Sequence, residues 1–121
     1  MPNTMSTANF KPAQHDIELV KGNSWQETYV FTLDNVAINL STATVLVSIY
    51  QGCSTSAALL TATNGNGITI SGVGNNTVTI NKIVELSAGN YIWDMKITFA
   101  DGTVRTYVWG DFILYLNINQ P

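Results

Sequence analysis

At 121 residues, the chain is long enough for one compact domain and too short for two. Hydrophobic residues make up 45% of it and charged residues only 11%, less than half the usual share, so its polarity comes mainly from Thr, Asn and Ser. That balance argues against intrinsic disorder and a helical bundle, and a net charge of −3 with five dispersed cations argues against a nucleic-acid partner.

Residues 1–12 contain Pro2 and Pro12, show no periodicity and read as an N-terminal arm that could tether the protein to a neighbour. They hold no apolar run of signal-peptide type, and no stretch of the chain reaches membrane-spanning length, so no membrane association is expected. The remainder, 13–121, reads as one β-domain. Ile17 and Leu19 alternate with Asp16 and Glu18 before a Lys21-Gly22-Asn23-Ser24 turn. Trp25, Tyr29, Phe31 and Leu33 share one face of the next run, which Asp34-Asn35 ends. Thr44 to Tyr50 follows, with Val45, Val47 and Ile49 inward, and then a polar loop from Gln51 to Ser56.

Asn64-Gly65-Asn66-Gly67 precedes a strand from Ile68 to Ser71, and Gly72 to Asn76 leads into Thr77 to Ile80. Lys82 to Ala88 is the one segment that could hold a helical turn, and it is too short for an independent helix. Tyr91, Trp93, Met95, Ile97 and Phe99 form the clearest alternating stripe. Asp101-Gly102 is a hairpin signal between it and a strand from Val104 to Trp109, and Phe112, Leu114, Leu116 and Ile118 make a last strand. Seven to nine short strands at this spacing predict an all-β antiparallel sandwich, with a small barrel as the alternative.

Few residues point to catalysis. The single histidine, His15, stands beside Asp16 without a nucleophile-elbow motif, so an ordinary surface role is expected. The lone Cys53 excludes an internal disulfide and a Cys-based metal site, and its loop offers no cation to activate a thiolate. Asp94 alternates with the inward stripe and is expected to face outward or to pair with Lys96 or Arg105, while Asp101 fits turn chemistry. No catalytic, cofactor-binding or metal-binding residue is assigned. The aromatic residues divide into two sets: Trp25, Tyr29, Tyr91 and Trp93 match core spacing, whereas Tyr50, Tyr107, Trp109 and Tyr115 are out of phase with theirs. With Phe10 of the arm, this second set is the expected partner-binding surface.

Several segments together resemble a known family. Lys21-Gly22-Asn23-Ser24-Trp25 with Tyr29-Val30-Phe31, Ile38-Asn39-Leu40-Ser41, and the pair Asn66 to Ile70 and Asn76 to Ile80 follow its layout. Leu86-Ser87-Ala88-Gly89-Asn90-Tyr91-Ile92-Trp93-Asp94-Met95, Ala100-Asp101-Gly102-Thr103 and Trp109-Gly110-Asp111-Phe112 follow its ending. The pattern, from about Ile17 to Ile118, resembles small phage tail-region domains such as the N-terminal domain of siphophage baseplate upper protein. Asn23 replaces the family's acidic residue. The resemblance implies an immunoglobulin-like sandwich serving as a non-enzymatic virion structural module. It would dock on the tail, baseplate or neck in many copies, after assembly in the host cytoplasm. Capsid decoration is the alternative within that class, and a glycan-binding module for host attachment is the alternative outside it.

Overall fold

The computed structural model describes residues 12–52 and 57–116. The arm 1–12, apart from Pro12, and with it Phe10, lies outside the described residues, as do Cys53 and Ile118. Eleven strands are present: β1 (Ala13–Gln14), β2 (Ile17–Val20), β3 (Ser24–Val30), β4 (Thr32–Leu33), β5 (Val36–Ala37), β6 (Thr44–Tyr50), β7 (Ala58–Asn64), β8 (Gly67–Ser71), β9 (Thr77–Ile83), β10 (Gly89–Thr98) and β11 (Val104–Tyr115). No helix occurs among the described residues. The segment expected to allow a helical turn instead opens as the end of β9.

One hydrogen-bonded path runs β1-β11-β10-β6-β7-β8-β9-β3, with β2 also pairing β11. It folds over between β7 and β8, where Thr63 meets Gly67 and Asn64 meets Ile68 across a tight turn. Gly67 makes this fold possible. Its φ is +94°, and a Cβ there would stand 2.9 Å from the Ala62 Cβ. The result is two layers, β2-β11-β10-β6-β7 and β8-β9-β3. The pairings are antiparallel except those of β1 and β2 with β11 and the short contact of β7 with β8, which are parallel.

The core lies between the layers. Trp25 of β3 meets Trp93 of β10 edge to face at 5.1 Å and Phe112 of β11 at 4.9 Å. Val45, Val47 and Ile49 of β6, Val78 and Ile80 of β9, and Met95 and Ile97 of β10 are all buried around them. The alternation read from the sequence therefore holds for β6 and β10. Tyr91 stands near the start of β10, two residues before Trp93, and its hydroxyl donates to the Ser87 carbonyl at 2.5 Å. This is the tyrosine corner of immunoglobulin domains, and β3 and β10 occupy the strands that antibody domains join by a disulfide. Here Trp25 and Trp93 make that inter-sheet contact. The fold is an immunoglobulin-like β-sandwich.

Three features depart from the sequence reading. The run from Trp25 to Leu33 breaks after Val30, and Thr32–Leu33 pairs with Val36–Ala37 as a small separate hairpin. Asp34 and Asn35 both take positive φ, as a two-residue hairpin turn requires, and Leu33 is exposed rather than inward. Ala58–Asn64 is a full strand that the sequence conceals. Its pairing with β6 slips between Ile49 and Tyr50, so Leu59 has no partner and the apolar alternation is lost. Finally, Val104 to Tyr115 is one strand rather than two. Gly110 is an in-line residue, and a Cβ there would overlap the His15 carbonyl that lies against it.

Candidate functional site

The larger layer turns one face to the core and the other outward, and the outward face carries the polar and aromatic groups of interest. The register sets them in rows. Ser48, Asp94 and Trp109 are neighbours across β6, β10 and β11; Tyr50, Ile92 and Asp111 form the next row, and Leu46, Lys96 and Thr106 the row on the other side. Together with Pro12 at the rim, several of these residues enclose a groove of about 430 Å³.

Asp94 lies at its centre. It faces outward as expected, yet it is only 8% exposed, because Tyr50 and Trp109 rise on either side of it. Lys96 Nζ stands 3.9 Å from Asp94 Oδ2, and the Tyr50 side chain is hydrogen-bonded to the carboxylate. Asp94 Oδ1 is enclosed and has no hydrogen-bond partner. Desolvation raises the Asp94 pKa above the ordinary carboxylate value, against the smaller opposing effects of Lys96 and Tyr50.

The expected aromatic surface is thus divided. Trp109 is 41% exposed and Tyr115 is exposed near the far end of β11. Tyr50 is buried, covered within the groove, and does not offer a free surface. Tyr107 does not share a face with Trp109. Met95 pairs with Val108 and Lys96 with Thr106, which leaves Tyr107 as an extra residue in a β-bulge and reverses the phase of the strand. Its ring therefore turns toward the core, against Phe31 at 5.3 Å and Phe99 at 6.4 Å.

His15 lies at the surface as expected, where its ring also meets the other layer. Its Nε2 lies 3.0 Å from Glu27 Oε1, and Tyr29 donates its hydroxyl to the same oxygen at 2.6 Å. Burial and the Glu27 carboxylate push the Tyr29 phenol far above its usual pKa. The backbone of His15 is also held, since its N–H donates to the Trp109 carbonyl and its carbonyl accepts from Trp93 Nε1, each at 2.8 Å. Asp16 Oδ1 accepts the Asp111 N–H at 2.9 Å. These contacts join the two layers.

Asp101 has the expected turn role. Its carboxylate accepts the Thr103 N–H at 2.9 Å, which lowers its pKa, and Gly102 takes positive φ. No group of three or more His, Cys, Asp or Glu able to hold a metal occurs among the described residues.

No protein-family profile and no curated protein matches the sequence. Solved structures with a similar chain arrangement include CopC from Methylosinus trichosporium OB3b, 15% identical over 84% of this chain and 85% of that one, with a TM-score of 0.49. Another is SGBP-B of the Bacteroides ovatus mixed-linkage glucan utilization locus, solved with a mixed-linkage heptasaccharide. It is 14% identical over 93% of this chain and 22% of that one, with a TM-score of 0.43. A third is the ZIG-8 IG1 homodimer, 14% identical over 93% and 89% of the two chains, with a TM-score of 0.42.

Proposed function

We propose that the chain is a non-enzymatic structural module of a bacteriophage particle, docked on the tail, baseplate or neck in many copies. The observation that carries this reading is an apolar end of the sandwich that folding alone does not explain. Val30, Leu33, Val36 and Val73 are all exposed there, Val73 completely, at the tips of β3, the β4–β5 hairpin and the β8–β9 turn. Gly74 keeps that turn against the hairpin, since a Cβ on it would stand 2.5 Å from the Ala37 Cβ. Turn tips normally carry Gly, Asn, Asp or Ser, and a cluster of exposed valines is better matched to a neighbouring protein than to water.

Two further features support the reading. A charge-poor surface carries little self-repulsion, which suits dense and permanent packing among copies. The one imidazole is engaged by Glu27 beside Tyr29, an arrangement that favours a structural over a chemical role.

Proteomics and cryo-electron microscopy of intact particles from the source test this directly. Density for the chain on the tail, baseplate or neck, with the Val36–Val73 end against a neighbour, is the expected result. Regular copies over the shell would reassign it to capsid decoration, and absence from the particle would overturn the reading.

A further inference from the structure

We propose that the groove beside Trp109 binds a neutral oligosaccharide, with a sugar ring against the indole and its hydroxyls shared among Asp94, Lys96 and Thr106. This inference goes beyond the particle reading and does not depend on it.

The first argument is the balance of the lining. One carboxylate and one ammonium stand close together as Asp94 and Lys96, so the groove carries no net charge from its centre. An ionic ligand would find one partner and one repulsive neighbour. A ligand with many hydroxyls can donate to the carboxylate and accept from the ammonium at once, and the Thr106 hydroxyl serves either role.

The second argument is the indole. Trp109 is 41% exposed in a row whose other members, Ser48 and Asp94, are buried. An aromatic wall beside fixed polar groups matches a ring that is apolar on its C–H face and polar at its edge. The volume, about 430 Å³, falls within the range of small-ligand sites.

The third argument is the cost of Asp94 to the fold. An enclosed carboxylate oxygen without a partner is unfavourable, and nothing in the sheet uses it. Its neighbours hold it in place from the middle of a paired sheet rather than from a loop, which is how a preorganised polar site is built.

The test is a nuclear magnetic resonance titration of the whole chain, labelled on tryptophan, with maltoheptaose, cellohexaose and the hexamer of N-acetylglucosamine at millimolar concentrations. The three indole N–H signals report separately. A saturable shift of the Trp109 signal, with that of Trp25 unmoved, is expected for at least one sugar. Trp109→Ala should abolish binding, and Asp94→Asn should weaken it about tenfold, the loss of a charge-assisted hydrogen bond. Thermal melts of both variants, expected to show cooperative unfolding, check that they remain folded. No saturable shift with any of the three sugars, or binding unchanged in Trp109→Ala, would overturn the proposal.

Discussion

The two faces of the β11-β10-β6 sheet contrast sharply, although they are made by alternate residues of the same strands. The inner face is closed by Trp25, Trp93 and Phe112 at edge-to-face distances, with β-branched residues packed around them. The outer face holds a buried carboxylate with an unpaired oxygen beside a partly exposed indole. The inner face is given to packing, with Trp25 Nε1 left buried and unpartnered there, and the outer face sets a carboxylate beside an accessible ring. A strand period of two thus allows a single sheet to meet both demands at once.

The largest test of that contrast replaces one tryptophan on each face. Trp93→Ala removes a fully buried ring and should cost about 3–5 kcal/mol, which for a domain of this size approaches loss of folding. Trp109→Ala should cost less than about 1 kcal/mol in the same chemical denaturation series. Equal losses would show that the outer indole is part of the fold's support.

Gly110→Ala should rank next. The new methyl group would meet the His15 carbonyl and Asp16, forcing β1 and β2 away from β11, and a loss of about 1–3 kcal/mol is expected from equilibrium unfolding. Tyr91→Phe removes only the hydrogen bond to Ser87 while keeping the ring in place, so about 1 kcal/mol should be lost.

The smallest effect concerns pH. The folded-state pKa of Asp94 is raised, so the folded chain holds that proton more tightly than the unfolded chain does. Its contribution to stability is therefore most favourable below the unfolded value near 3.8 and declines as pH rises through the folded pKa. Asp94→Asn should raise the melting temperature at neutral pH and narrow that advantage in acid. A melting temperature lower than the parent's at neutral pH would mean that the Lys96 and Tyr50 contacts outweigh desolvation.

Much of the inner face was legible in the sequence, because Tyr91, Trp93, Met95 and Ile97 alternate without interruption and the strand that carries them pairs along its whole length. The turn at Asp34-Asn35 and the hairpin at Asp101-Gly102 were legible for a similar reason, since their residue types report local backbone geometry. The outer face was not. Its composition depends on a bulge that inserts Tyr107, and a one-residue insertion leaves no mark in an apolar-polar pattern already mixed on both faces. A period of two without the bulge puts Tyr107 and Trp109 on one surface. Glu27 was equally hidden as the partner of His15, because their proximity arises from packing of two layers and not from spacing along the chain.

The pairing of β1 and β2 with β11 has a consequence for biosynthesis. The hydrogen bond from the Asp111 N–H to Asp16 joins residues 95 positions apart. β1 and β2 leave the ribosome well before β11 and must therefore wait, unpaired on that side, until it emerges to meet them. A fold ordered in this way closes only after release of β11, and until then Ile17 and Phe112 have no access to each other. The step that locks β1 and β2 against β11 at Gly110 is thus also the step that closes the sandwich.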